Sequence, residues 1–393
     1  MTEWRDVTLG DVCELKRGYD LPRGKRQLGN VPIISSSGLT GFHSVAMVRA
    51  PGVVTGRYGT LGQVFHITED FWPLNTSLYV RDFKGNDPRF VAALLESMKL
   101  AEHDGAAAVP GLNRNQLHGL PVRVPDPKTQ AIIAAILGTI NRLIENNRRR
   151  VEVLEEMARA IYREWFIHFR YPGHETATLV DSPLGPIPEG WSVAPASDAL
   201  AINPRIKLDK TVDHPFVTMG DLDERSMFFL PSDLKAGNSG AKFVNGDSLF
   251  ARITPCLENG KTGYVQCLAD SQVGRGSTEF IVLRGRAVGP MFTYCLARSE
   301  DFRGHAIASM SGASGRQRVR NECFDAYMLA VPPSDLADRF EDCAGPLFDT
   351  AYQLNLQARK LSSLRDLLLP RLVTGQIDIS SLDLAALVEE AVA

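Results

Sequence analysis

The chain reads Pro121-Val122-Arg123-Val124-Pro125 where a β-rich segment passes into a long heptad-patterned one. It reads Met328-Leu329-Ala330-Val331-Pro332 at a second such junction, 207 residues later. Apolar residues at heptad spacing, with one asparagine, follow the first junction: Ile133, Ile140, Ile144, Asn147, Val151, Leu154, Ala158, Ile161 and Trp165. The same register 207 residues later falls on Phe340, Leu347, Ala351, Leu354, Ala358, Leu361, Leu368 and Leu372. The junction and the helix after it therefore occur twice.

Upstream of each junction, further matches keep the same order. Trp4 corresponds to Trp191 at an offset of 187, and residues 54–59 correspond to 249–254 at an offset of 195. Residues 76–80 are matched to 277–281 at an offset of 201. A rising offset in unchanged order is expected from duplication followed by loop insertions, so we predict two similar halves.

Each half is predicted to be a globule with short strands and short helices. β-branched and aromatic residues between glycines indicate strands at residues 52–59, 63–67 and 77–81, and again at 247–252 and 279–283. Short helices are expected at residues 88–99 and 291–299. The fold class is therefore α+β.

The two heptad segments are each about forty residues long, which exceeds a typical globular helix. A single apolar stripe is usually the core face of one helix, but two stripes in one register favour an antiparallel coiled coil. Asn147 places a polar side chain in the first seam, where it can fix the register at some cost in stability. Gly345-Pro346 predicts a kink or break near the start of the second helix.

Composition is that of an ordinary folded protein, with 44% hydrophobic and 23% charged residues among 393. The N-terminus lacks a secretory pattern, no apolar run is long enough to span a membrane, and the six cysteines form no C-x-x-C pair. These features predict a reduced, cytoplasmic protein. The net charge of -3 gives no basic excess, so any nucleic-acid contact must use local charge or partner chains.

Sequence patterns for catalysis are incomplete. Asn259-Gly260-Lys261-Thr262 ends like a phosphate loop, but Pro255 stands where that loop requires glycine. Residues 56–62 are glycine-rich without the G-x-G-x-x-G spacing, and the histidines show no metal-ligand spacing. We predict neither catalysis nor a metal site in this chain.

The ordered motifs resemble the specificity subunits of type I restriction-modification systems. They are Leu9-Gly10-Asp11-Val12, residues 56–62, 75–80, 112–113, 121–127, 130–137, the long helix, and residues 372–377. The resemblance covers almost the whole chain. It implies two target recognition domains, each reading one half of a split double-stranded DNA site, with the helices as a spacer.

In that family the chemistry belongs to partner subunits. The resemblance implies two modification subunits that use S-adenosylmethionine to methylate adenine, and restriction subunits that act as motor and nuclease with ATP and Mg. No cofactor is expected on this chain.

The predicted organisation has five parts. They are recognition domain 1 at residues 1–125, a spacer helix at 126–170, recognition domain 2 at 171–332 with a linker at 171–188, a second spacer helix at 333–378, and a tail at 379–393.

Loop arginines, asparagines and glutamines can read base edges in the major groove. The candidates in the first half are Arg57, Tyr58, Asn113, Arg114, Asn115 and Gln116. Those in the second half are Arg252, Arg275, Arg316, Gln317, Arg318 and Arg320. For each residue the alternative is a plain surface position or a phosphate contact, since at least half of protein–DNA hydrogen bonds go to the backbone. The small-residue stretch 312–315 precedes three of them and aligns with residues 106–111.

A spacer helix of about 38 residues is about 57 Å long. Adjacent major-groove faces repeat every 34–36 Å or so, so helix length is expected to set the gap between half-sites. A scaffold with two β-rich ligand-binding modules and no DNA explains the duplication and heptads equally well. A compact nuclease or methyltransferase subunit is a third possibility, which the incomplete motifs disfavour.

Overall fold

The computed structural model of the chain describes residues 4–103, 111–313 and 315–379. Two compact units are present: unit 1 comprises Met1–Glu145 and Ala358–Ala393, and unit 2 comprises Asn146–Gln357. Each unit includes part of both long helices, so the five-part division stays a prediction. The tail beyond Ile379 lies outside the described residues, and so do residues 106–110, which the sequence analysis aligned with the stretch 312–315.

Unit 1 has a four-stranded antiparallel sheet in the order β2-β8-β5-β6, a three-stranded sheet β4-β3-β7 and a strand pair β1-β9. Its elements are β1 (Trp4–Thr8), α1 (Leu9–Val12), β2 (Glu14–Arg17), β3 (Val31–Ser35), β4 (Gly38–His43), β5 (Gly52–Gly56), β6 (Val64–Ile67), β7 (Trp72–Pro73), β8 (Ser77–Asp82), α2 (Pro88–Ser97), α3 (Arg114–His118), β9 (Pro121–Pro125) and the start of α4 (Pro127–Tyr162).

Unit 2 repeats this plan with the sheets β13-β20-β17-β18 and β15-β14-β19-β16 and the strand pair β12-β21. Its elements are the rest of α4, β10 (Leu179–Val180), β11 (Ile187–Pro188), β12 (Ser192–Pro195), α5 (Ala196–Ala199), β13 (Leu200–Ile202), β14 (His214–Val217), β15 (Asp233–Lys235), β16 (Ala241–Phe243), β17 (Ser248–Ala251), β18 (Thr262–Tyr264), β19 (Gly274–Gly276), β20 (Phe280–Gly285), α6 (Pro290–Arg298), α7 (Glu300–Ala308), α8 (Cys323–Ala326), β21 (Met328–Val331) and the start of α9 (Ser334–Val373). The short helices predicted at 88–99 and 291–299 are confirmed as α2 and α6.

Strand pairing confirms the internal repeat. Thr8 pairs with Pro121 and Pro195 pairs with Met328, which reproduces the offsets of 187 and 207. The predicted offset of 201 is wrong by two residues. Val54 and its counterpart Leu249 pair with Tyr79 and Val282 respectively, so Tyr79 and Val282 are equivalent and the offset at this strand is 203. A shift of two keeps each side chain on the same face of its strand, so the alternating pattern cannot distinguish the two alignments.

Each unit has its own apolar core, to which both long helices contribute. In unit 1, Phe90 and Leu94 of α2 pack with Ile133 of α4 and Leu372 of α9. In unit 2, aromatic residues dominate: Tyr162, Phe166, Phe292, Phe340 and Phe348. The shared cores show that α4 and α9 pack together, and their pairing is antiparallel because the start of α4 meets the end of α9.

The predicted seam is largely confirmed. Ile140, Ile144, Val151 and Ala158 are buried on α4, and the predicted seam residues Phe340, Ala351, Leu354 and Ala358 are buried on α9. At two positions the neighbouring residue is the more deeply buried one, Phe348 instead of Leu347 and Leu369 instead of Leu368.

The predictions for two positions in the long helices, Asn147 and Gly345-Pro346, differ in how they compare with the structure. Asn147 lies in the seam at 7% exposure and donates from Nδ2 to Oε1 of Gln357 at 3.4 Å. The prediction at Gly345-Pro346 is a kink or a break. A break is wrong, since α9 continues through both residues, and the kink stays a prediction. The packing of the helix on both sides outweighs the local preference of proline.

A buried carboxylate connects α4 to the rest of unit 2. Glu155 is 4% exposed, and its carboxylate accepts hydrogen bonds from the Tyr294 hydroxyl at 2.7 Å and the Met227 amide at 3.1 Å. Nε of Arg298 lies 3.7 Å from the same carboxylate, and Nη1 of Arg298 donates to the Gly260 carbonyl at 2.6 Å. Burial raises the pKa of Tyr294 well above its usual range, and the nearby Glu155 charge adds to this effect.

We expect Glu155→Ala to destabilise unit 2 by about 3–5 kcal/mol, because it leaves the Arg298 charge buried without a counter-ion. Urea unfolding of the full chain measures the change. Glu156→Ala is the matched control, since exposed Glu156 forms ion pairs with Arg159 and Arg163 on the helix surface, worth about 0–1 kcal/mol. Equal losses in the two variants would contradict the assigned role of Glu155.

Candidate nucleic-acid interface

In unit 1, two loops that carry candidate residues are joined by backbone pairing. We call residues 56–58 and 111–116 loop pair 1. The Leu112 amide donates to the Arg57 carbonyl at 3.0 Å, and Tyr58 forms a bridge with Gly111. The amides of Arg57 and Tyr58 both donate to the Thr76 carbonyl, at 2.9 and 3.1 Å. The sheet therefore holds all six candidates of the first half in one region.

The side chains of loop pair 1 are partly preorganised. The Arg57 guanidinium lies 4.5 Å from the centroid of the Tyr58 ring, and Nη2 donates to the Tyr58 hydroxyl at 3.2 Å. Tyr58 is 39% exposed. A Cβ on Gly111 would lie 2.4 Å from Cε1 of Tyr58, so glycine is needed for this close approach. A guanidinium stacked on an aromatic ring keeps its outer donors available to a ligand.

The polar residues after Gly111 start a short helix. Asn113 is the N-cap of α3, and its Oδ1 accepts from the Asn115 amide at 3.0 Å. This bond gives Asn113 a local structural role. Arg114, Asn115 and Gln116 occupy the exposed face of α3, while Leu117 anchors the helix in the core.

Unit 2 has the corresponding arrangement, which we call loop pair 2 (residues 251–254 and 316–320). The Val319 amide donates to the Arg252 carbonyl at 2.8 Å, as Leu112 does to Arg57. The Arg252 amide donates to the Glu279 carbonyl at 2.9 Å, and Ile253 forms a bridge with Arg318. Nη2 of Arg252 also donates to the Val319 carbonyl at 2.8 Å.

The candidates after residue 315 extend from a glycine-containing turn. Ser311 and Arg318 exchange two backbone hydrogen bonds, and Gly312 and Gly315 adopt positive φ angles of 130° and 78°. Arg316 is exposed and Gln317 is half-buried. Nε of Arg320 donates to the Ser311 hydroxyl at 2.8 Å.

Arg318 forms a two-point ion pair that the sequence analysis missed. Its Nη2 and Nε donate to the two oxygens of Glu279 at 2.7 and 2.9 Å, and Arg318 is still 47% exposed. The hydrogen bonds from Arg318 hold the pKa of Glu279 below its usual range. The sequence offers no signal for this pair, because 39 residues separate the partners.

Arg275 corrects the prediction for one candidate. It is 2% exposed, and its guanidinium donates to the carbonyls of Lys235, Ala236 and Ser239 at 2.7–2.9 Å. A side chain enclosed in this way stabilises the β14–β19 region and is not presented to a ligand. Arg275 lies at the position that Trp72 occupies in unit 1. Trp72 pairs in parallel with β3, and Arg275 pairs in parallel with β14, which is the strand of unit 2 equivalent to β3.

The fold defines a duplicated α+β protein with paired long helices and loops rich in arginine. Residues 1–156 match the family model described as the type I restriction modification DNA specificity domain. The chain is 24% identical over 336 residues to the type I restriction enzyme MjaIX specificity subunit of Methanocaldococcus jannaschii, covering 79% of this chain and 74% of that protein. The chain is thus similar to type I restriction enzyme specificity subunits, and the family match lies in residues 1–156.

A second relative is more similar but over less of its length. The chain is 29% identical over 179 residues to the type I restriction enzyme EcoEI specificity subunit of Escherichia coli, covering 44% of this chain and 30% of that protein. The structure matches that of the type I restriction-modification S subunit from M. genitalium with a TM-score of 0.60 and 13% identity, covering 94% of this chain and 96% of that one. At this identity the match shows a common fold.

Two further properties concern the part of the chain that the structure describes. Within it, no helix has the length and apolar character needed to cross a bilayer. His, Cys, Asp and Glu side chains in the same residues form no group of three or more suited to a metal ion.

We expect Arg318→Ala to raise the pKa of Glu279 toward that of an ordinary glutamate, because the hydrogen bonds from Arg318 to its charged form are lost. By linkage, this ion pair stabilises the fold above the ordinary glutamate pKa, and the stabilisation is lost as pH falls through the lowered value. An NMR titration of ¹³C-labelled glutamate side chains measures both forms. Arg316→Ala is the control and should leave the titration unchanged; an unaltered pKa in Arg318→Ala would contradict the assignment.

Proposed function

We propose that this chain is the DNA-recognition subunit of a type I restriction-modification complex, with each unit reading one half of a bipartite site. The observation that carries the proposal is one backbone arrangement occurring twice with different side chains. Arg57 and Tyr58 in loop pair 1 are replaced by Arg252 and Ile253 in loop pair 2. A common scaffold with divergent loop residues suits a protein that reads two different half-sites.

The exposed groups of the loop pairs have the chemistry that DNA recognition requires. Arginine can donate two hydrogen bonds to guanine O6 and N7, and asparagine or glutamine can pair with adenine N6 and N7. Exposed Arg114 and Gln116 offer these groups in unit 1, and exposed Arg316 and half-buried Gln317 offer them in unit 2. Since the chain has a net charge of -3, much of the phosphate contact is assigned to partner subunits.

The chemistry of the complex is likewise assigned to partners. We propose that two modification subunits with S-adenosylmethionine methylate adenine in the site that this chain selects. Restriction subunits with ATP and Mg would cleave unmodified DNA. This chain binds no cofactor in the proposal.

Adenine methylation in cells tests the proposal directly. Genomes are sequenced for methyladenine in cells with the chain and its modification subunit, and in cells that lack only the chain. A split motif with a fixed gap, present only with the chain, is the expected result. An active modification subunit whose pattern does not depend on the chain would instead favour a protein scaffold.

Substitutions in one unit should change one half-site only. We expect Arg114→Ala to relax base preference in one half of the motif and Arg316→Ala in the other, each with a loss of about 1–3 kcal/mol in discrimination. Binding of the assembled complex to DNA variants measures both effects. Lys128→Ala, an exposed cation at the start of α4, is the control. A loss in both halves from either single substitution would contradict separate reading.

Helix length should set the unread gap. Removing seven residues from each helix, at 141–147 and 355–361, keeps the heptad register and shortens the pair by about 10 Å. We expect the gap in the methylated motif to shrink by about three base pairs, since each strand rises 3.4 Å or so per base. Insertion of seven residues at the same points should lengthen the gap equally. A folded, active deletion variant with the original gap would reject this part of the proposal.

A further inference from the structure

Unit 2 contains a cavity beside loop pair 2. Its volume is about 500 Å³, in the range of pockets that bind small organic ligands. Three cations line it, namely Arg205, Lys242 and Arg252, and none of the described lining residues carries a carboxylate. Among the described residues, none of these three cations has a carboxylate within salt-bridge distance. In a chain of net charge -3, this is a local site for an anion.

The remaining lining combines an apolar floor with polar edges. Phe280 and Val282 of β20 form the floor together with Ile206, while Asn203 and Thr278 supply an amide and a hydroxyl. Oδ1 of Asn203 accepts from the Val282 amide at 2.9 Å, which orients its Nδ2 group as a donor. An apolar floor with hydrogen-bonding edges and a cationic rim fits a heteroaromatic base that carries a phosphate.

The cavity has a physical origin in the divergence of the two units. In unit 1, Tyr79 holds the position of Val282, and the ring of Tyr19 lies beside that of Tyr79. The two tyrosine hydroxyls are 2.9 Å apart, and Trp72 packs edge-on against Tyr19. In unit 2 the smaller side chain of Val282 leaves this volume open.

We propose that this cavity binds one nucleotide of the DNA strand on loop pair 2, with the phosphate at the cationic rim and the base against the apolar floor. Arg252 belongs to both the cavity and loop pair 2, and its bond to the Val319 carbonyl fixes it at their boundary. The inference rests on the proposed function and adds to it a nucleotide site in unit 2.

The test uses the full chain and the four deoxynucleoside 5′-monophosphates, with inorganic phosphate and the free nucleosides as comparison ligands. We expect at least one nucleotide to bind about tenfold more tightly than phosphate or its nucleoside, because both parts of the site are then used. Thr278→Tyr, at an exposed lining residue, should block the cavity and weaken nucleotide binding about tenfold. Lys242→Ala should weaken it about as much without filling the cavity.

Arg286→Ala removes an exposed cation of unit 2 outside the lining and should leave nucleotide binding unchanged. Phosphate binding as tightly as every nucleotide would overturn the proposal in favour of a bare anion site. An unaltered affinity in folded Thr278→Tyr and Lys242→Ala would also overturn it.

Target DNA separates this inference from the proposed function. In the assembled complex, Thr278→Tyr should weaken binding to DNA that contains the target motif about tenfold. If methylation remains specific and both substitutions leave nucleotide and DNA binding unchanged, the nucleotide site fails alone. If the wild-type chain confers no methylation specificity, the proposed function itself fails.

Discussion

Burial of one long apolar seam against another is the constraint on which the rest of the structure depends. Helices of 36 and 40 residues have stripes that a single small globule does not cover along their whole length. Each stripe is buried where α4 and α9 meet, and the same side chains continue into the core of each unit. The paired helices are therefore both the longest elements and part of both cores.

Polar side chains on these helices also hold the shorter elements. In unit 1, buried Gln130 of α4 accepts from the Asp87 amide at the start of α2 at 3.0 Å. In unit 2, Glu341 of α9 accepts from the amides of Met291 and Phe292 at the start of α6, both at 3.0 Å. Burial raises the pKa of Glu341, while these two bonds favour its charged form. Within each unit, specific hydrogen bonds as well as apolar packing thus join the long helices to the shorter elements.

Main-chain bonds and side chains have diverged to different degrees between the units. The bond from Leu112 to Arg57 and the bond from Val319 to Arg252 are equivalent, although few side chains of the two loop pairs agree. Equivalent positions in the sheets have changed as well, with Trp72 in one unit and Arg275 in the other. Backbone pairing preserves the scaffold while side chains are free to change what each loop presents.

The sequence by itself determined the duplication, the α+β class, the heptad seam, and the two regions where the loops carry donors. These are properties of order and periodicity, which local patterns record. Only the tertiary structure decided the offset of 203 at β20, the continuity of α9 through Pro346, the burial of Arg275 and its replacement of Trp72, and the pairing of Arg318 with Glu279. Each of these depends on which residues distant in sequence come into contact, and a shift of two in a strand or a charge 39 residues away leaves no local trace.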